Sequence, residues 1–93
     1  MPLIVLPDAL ADIGQAFSYI HARNPQAARH LQIALTGAFE RIGSRPRIGR
    51  LHADGRYREW SVVGWPYIIV YRTVGDDVEI LRVWHERRER PQT

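Results

Sequence analysis

Neither cysteine nor lysine occurs among the 93 residues, and the two absences narrow the chemistry in different ways. Without cysteine there is no disulfide framework, no thiolate metal site and no thiol nucleophile, which fits a reducing compartment. Without lysine, all 13 basic residues are arginine, set against 10 acids for a net charge of +3. Arginine stays charged and presents a planar fork to carboxylate or phosphate, so acidic protein segments and nucleic acid are the partners this composition favours. A GC-rich genome would produce the same bias. Also missing are a glycine-rich phosphate loop, a serine in a nucleophile-elbow setting and metal-ligand spacing among His21, His30 and His52. Neither a metal nor a nucleotide cofactor is expected. The opening apolar run, Leu3 to Leu6, has no basic stretch before it and stops at Pro7. It is too short for a signal peptide or a membrane span, so the chain reads as cytoplasmic.

What remains is one small domain, 1–93, whose core is modest enough for a partner to add materially to its stability. Leu3 to Leu6 reads as a short buried strand. Asp8 suits a helix N-cap, with Asp12 in position to complement the helix dipole. Leu10, Ile13, Phe17 and Ile20 then form an apolar stripe, predicting a helix from about residue 8 to about residue 22. Asn24-Pro25 is an N-cap followed by proline at the first helical position. Ala28, Leu31, Leu35, Ala38 and Ile42 make a second stripe that ends at Gly43. Two helices joined so closely form an antiparallel hairpin. From Ser44 to Arg56 the pattern breaks into a basic loop punctuated by Pro46, Gly49 and Gly55.

Strand signals return at Tyr57 to Val63, Tyr67 to Val74 and Val78 to His85, with short links that imply an antiparallel meander. In the last strand Val78, Ile80 and Trp84 are apolar on one side and Leu81 and Val83 on the other, which predicts a central strand covered on both faces. The expected architecture is α+β, in the order β-α-α-β-β-β, with a helical hairpin packed on a small, mainly antiparallel twisted sheet. Charge is uneven: residues 1–44 hold three arginines and three acids, and residues 45–93 hold ten arginines and seven acids. A short basic tail begins at about residue 86.

The element order, Tyr19-Ile20 late in the first helix, Asn24-Pro25-x-Ala27-Ala28 opening the second and Pro46-x-x-Gly49-Arg50 in the loop together resemble the RelE/ParE superfamily of toxin–antitoxin toxins. The match is strongest in Arg58-Glu59-Trp60, in Tyr67-Ile68-Ile69-Val70-Tyr71-Arg72 and in Ile80-Leu81-Arg82-Val83-Trp84-His85-Glu86-Arg87-Arg88, a closing pattern similar to that of ParE-type toxins. The resemblance implies a toxin neutralised by a cognate ParD-like antitoxin that wraps over it, with DNA contacted only through the antitoxin. Two targets are open. ParE-like members poison DNA gyrase, whereas RelE-like members are endoribonucleases that cut messenger RNA on the ribosome; fold alone does not separate them.

The candidate residues divide accordingly. A nuclease would use His85 as general acid or base, with Arg82 and Arg72 steadying the phosphate. Against this, there is no lysine, and the middle strand presents Tyr67, Ile68, Ile69 and Val70 where a catalytic arginine would be expected, which favours the gyrase-directed branch. On that branch Trp84, His85, Arg87 and Arg88 are the target-binding candidates. For the antitoxin, Tyr19 and Ile33 lie off the core stripes, and Arg58 and Arg82 are basic partners for acidic residues. Arg82, flanked by Ile80 and Trp84, would be partly buried and would need a carboxylate such as Glu59. Trp60 and Trp65 read as core or turn aromatics, with Trp65, just before Pro66, the one most open to an exposed contact.

Overall fold

The computed structural model describes residues 2–87. β1 (Leu3–Val5) leads directly into α1 (Pro7–Arg23) and α2 (Pro25–Ser44), followed by β2 (Arg50–Leu51), β3 (Arg58–Ser61), β4 (Tyr67–Val74) and β5 (Asp77–His85). The five strands form one sheet in the order β1-β5-β4-β3-β2, with β1 parallel to β5 and the other pairs antiparallel. The expected α+β architecture is present, with one element more than the sequence indicated. Arg50–Leu51, inside the predicted basic loop, pairs with Arg58 and Glu59 as a two-residue edge strand. Two residues are too few to generate an alternating pattern, so no periodicity marks it.

The helix boundaries follow the local signals with one change. Leu6 rather than Asp8 is the N-cap of α1 and makes no side-chain capping bond; Pro7 takes the first helical position and Asp8 lies in the first turn. Proline is tolerated there because its missing N–H would have no intrahelical acceptor. At α2 the prediction holds: the Asn24 side chain accepts from the Ala27 N–H at 3.1 Å, and Pro25 follows it. All five residues of the second stripe, Ala28, Leu31, Leu35, Ala38 and Ile42, are buried.

The first stripe is rotated from its expected position. Ala9, Asp12 and Ala16 are the buried residues of α1, whereas Leu10 is 57% exposed and Phe17 is 37% exposed. Ile13 and Ile20 pack only at the core margin. Small side chains at 9 and 16 present little bulk towards the core, and the bulkier Leu10 and Phe17 are turned to the flank.

β5 is central, between β1 and β4, but its two-sided apolar pattern has another cause than burial on both faces. The register shifts between Val70, which opposes Arg82, and Tyr71, which opposes Ile80, leaving Leu81 as the extra residue of a bulge. The alternation therefore changes phase, so that Val78, Ile80 and Val83 all belong to the core beneath the helices. The same shift moves Trp84 to the opposite face, paired with Ile68 and only half-buried. Trp65 packs against the core margin, rather than standing out as a surface contact. The β4–β5 link is a tight turn in which Gly75 has φ +58°, a conformation that β-carbon-bearing residues rarely adopt.

Candidate functional site

Asp12 is the most consequential side chain that the sequence reading placed wrongly. It does not serve the helix dipole at the surface; it is buried, and its carboxylate accepts three hydrogen bonds. Two come from Arg82, from Nε at 2.8 Å and from Nη2 at 2.9 Å, and the third from the Val83 backbone N–H at 2.9 Å. β1 stops pairing with β5 after Val5, with one further bond from the Leu6 N–H to the Ile80 carbonyl. Beyond that point Asp12 takes over as acceptor for the strand edge. Arg82 thus finds its carboxylate in Asp12, not in Glu59, which pairs with Arg50 at 3.3 Å. Glu59 shares a sheet face with Arg82, but β4 stands between them.

His85 ends β5 opposite Tyr67, whose ring it meets edge-on at 5.4 Å. Its Nδ1 accepts from the Arg87 N–H at 3.2 Å, and the Glu86 N–H donates to the Pro66 carbonyl at 2.8 Å, so the strand closes in a pinned turn. Trp84 carries the Arg82 guanidinium 5.5 Å from its ring centre. Arg87 is exposed beside this turn, and Arg88 lies outside the described residues.

At the other end of β4 the basic side chains gather. Arg45, Arg47, Arg56, Arg58 and Arg72 line a cleft of about 910 Å³, with Tyr57, Ile48 and Leu51 among the remaining walls and, among the described residues, no acidic one. The loop carrying Arg45 and Arg47 is locked from beneath. The buried Tyr71 hydroxyl accepts from the Gly49 N–H and donates to the Pro46 carbonyl, both at 2.8 Å. Burial raises the Tyr71 pKa, against the opposing effect of the Gly49 N–H. A β-carbon on Gly49 would lie 2.6 Å from that hydroxyl and 2.9 Å from the Glu59 carbonyl, so this close approach requires glycine. Arg58 completes the clamp by donating from Nη1 to the Gly49 carbonyl at 2.9 Å and more weakly to the Arg47 carbonyl at 3.4 Å. The Pro46-x-x-Gly49 spacing is thereby explained.

Arg72 donates from Nε to Glu79 at 2.8 Å. The two arginines expected to steady a phosphate are therefore not brought together: Arg72 reaches the cleft beside Arg58, and Arg82 does not line it.

A second concavity, apolar and about 410 Å³, runs between the helices and is lined by Leu10, Ile13, Gly14, Phe17, Leu35 and Phe39 with several neighbours. Ile33 stands 64% exposed outside this groove, as its off-stripe position predicts, and Tyr19 is exposed but capped by Arg23, whose guanidinium lies 3.8 Å from the ring centre. Among the described residues no helix is long and apolar enough to cross a membrane, and no cluster of three potential metal ligands occurs.

Three comparisons bear on this arrangement. A protein of Sinorhizobium fredii named "Putative toxin Y4kP" is 33% identical over 84 residues, spanning 90% of this chain and 86% of that protein. A solved structure titled "Chromosomal ParDE TA system from P. aeruginosa" superposes with a TM-score of 0.72 at 20% identity, covering 89% of this chain and 92% of the other, which establishes a common fold. The family described as the ParE toxin of the type II toxin–antitoxin system parDE matches residues 3–90. With the match running from β1 through β5, the chain belongs to the ParE toxin family of type II toxin–antitoxin systems.

Proposed function

We propose that this chain restrains growth by inhibiting DNA gyrase and that a cognate ParD-like antitoxin silences it, laying an apolar helix in the groove between α1 and α2. The target half of this reading rests on how the nuclease candidates are distributed. Arg72 and Arg82 share a sheet face through their neighbours Glu79 and Val70, but each guanidinium is engaged by a carboxylate. His85 belongs with Tyr67 and Val83 on the helix face, and its pairing partner lies five residues from Arg72 along β4. That spacing is on the order of 17 Å in an extended strand. General acid–base chemistry needs its groups within hydrogen-bond reach of one reacting phosphate, and these lie on opposite faces. Purified toxin should inhibit gyrase supercoiling and leave ribosome-bound message uncut. Message cleavage on the ribosome with gyrase unaffected would overturn the proposal.

The antitoxin half is supported by Leu10 and Phe17, two large apolar residues exposed on one groove, in a family defined by its toxin–antitoxin pairing. Leu10→Asp and Phe17→Asp should leave the fold intact and each weaken antitoxin binding by roughly 2 kcal/mol or more, as central apolar anchors do. Unchanged affinity in calorimetry would remove the groove from the interface. Ile33→Asp tests whether the contact extends over the outer face of α2, and Tyr19, Arg58 and Arg82 remain positions from which an antitoxin could be reached.

A further inference from the structure

We infer that the arginine cleft at the sheet end is a binding site for the phosphodiester backbone of nucleic acid, so that the toxin contacts nucleic acid directly and not only through its antitoxin. Five guanidinium groups surround this cleft, and among the described residues no carboxylate lines it. Arg58 is partly engaged with carbonyls, and Arg72 has Glu79. The side chains of Arg45, Arg47 and Arg56 take part in no hydrogen bond or ion pair among the described residues. Like charges gathered around one concavity repel one another, and an anionic ligand relieves that repulsion.

The cleft is also held in shape rather than being a chance meeting of surface chains. A buried tyrosine hydroxyl, a glycine that tolerates no β-carbon and the Arg58 clamp all fix the 45–49 segment, so Arg45 and Arg47 are presented from a rigid loop. Preorganised planar forks suit tetrahedral phosphate oxygens, and their all-arginine composition fits repeated two-pronged contacts.

Two observations favour a nucleic-acid strand over an acidic peptide. Tyr57 lines the cleft and is stacked on His52, with ring centres 4.3 Å apart and planes 24° apart, a π surface on which a base can continue the stack. The neighbouring sheet edge, β2, is only two residues long and gives an incoming peptide strand little main-chain pairing. This inference does not depend on which host target the toxin inhibits. The nuclease candidate His85 is not among the residues lining the cleft.

The test is binding of short fluorescein-labelled single-stranded and duplex DNA to the full chain, measured by anisotropy across a salt series. Arg47→Gln/Arg56→Gln removes two of the unengaged guanidinium groups, and Arg23→Gln/Arg29→Gln removes the same charge from the helices. The cleft variant should bind the better of the two DNA forms about tenfold or more weakly, and its slope of log affinity against log salt should fall by about 1.5, two phosphate contacts' worth. The helix variant should keep both affinity and slope, and both variants should keep the wild-type melting temperature. No measurable DNA binding, equal losses in the two variants, or displacement of DNA by polyglutamate as effective as by unlabelled DNA of equal charge would each overturn the inference. The last of these would assign the cleft to an acidic protein segment.

Discussion

Asp12→Ala is the most demanding test of the fold, because a helix surface position would tolerate it and the observed position would not. The substitution removes an acceptor from three donors at once. The Val83 N–H, facing the edge where β1 has ended, is left without a partner at a cost of about 1–3 kcal/mol. The Arg82 side chain is 39% exposed, so water replaces part of what the carboxylate supplied. Its loss therefore belongs at the low end of the ~1.5–3 kcal/mol typical of charge-assisted bonds. Together these give about 3 kcal/mol, a large part of the stability of a domain this size. At about 4–8 °C per kcal/mol the melting temperature should fall by roughly 12–24 °C. Urea unfolding of the free toxin measures the free energy, and Arg82→Ala completes a double-mutant cycle whose coupling should be about 1–2 kcal/mol. A loss below about 1 kcal/mol for Asp12→Ala, the scale of an ordinary surface change, would show that the carboxylate does not hold the strand edge.

Other substitutions test the clamp beneath the cleft and the end of β5. Tyr71→Phe strands the Gly49 N–H and frees the Pro46 carbonyl, and should cost about 1–3 kcal/mol by urea unfolding. Because burial raises the Tyr71 pKa above its unfolded value near 10, the unfolded chain gives up that proton first as pH rises, so stability is retained below about pH 10 and declines above it. Tyr71→Phe should flatten this alkaline decline in urea midpoints, and an unaltered pH profile would assign the decline to other groups. Gly49→Ala should destabilise by about 1–3 kcal/mol through overpacking, and by less in the Tyr71→Phe background, where the nearest clashing atom is gone. Trp84→Ala should cost roughly 2 kcal/mol, since a half-buried ring loses less than the ~3–5 kcal/mol of a fully buried one, and the variant should still fold by circular dichroism. His85→Gln should leave any gyrase inhibition measurable, because a residue that closes a turn has no turnover to lose; abolished message cleavage in that variant would instead favour the nuclease.

How far the sequence discloses this molecule depends on whether a residue's partner is near it in the chain. Asn24-Pro25, the five-residue stripe of α2 and the Tyr67–Val74 strand are read correctly because caps, helical spacing and β-rich runs are local signals. Asp12 and Arg82 are seventy residues apart, and nothing in either neighbourhood announces the other. An acid in the first turns of a helix has an adequate local explanation in the dipole, and that explanation conceals the buried role. The one available hint was the small-residue row Ala9, Asp12 and Ala16, which marks a face made for close approach. On that reading Leu10 and Phe17 fall outside the core and onto the groove.

The bulge at Leu81 shows the same limit from the opposite direction. Apolar residues on both sides of β5 suggest two buried faces, whereas a single extra residue changes which side each later side chain occupies. Every residue after the bulge then exchanges faces relative to simple alternation, which is why Val83 joins the core while Trp84 and Arg82 leave it. This phase change separates His85 from Arg72, while the odd spacing between Arg82 and His85 puts those two on opposite faces in either phase, although in sequence the three look like parts of one phosphate site. Arg82 nonetheless reaches Asp12 of α1, beyond the point where pairing of β1 with β5 ends. The cleft arginines were visible individually as a basic loop, but their convergence depends on Tyr71 reaching back to Pro46 and Gly49, a contact between a core strand and a loop more than twenty residues earlier. A tyrosine in an apolar strand looks like packing alone, and only its hydroxyl partners show that it also sets the shape of the surface above it.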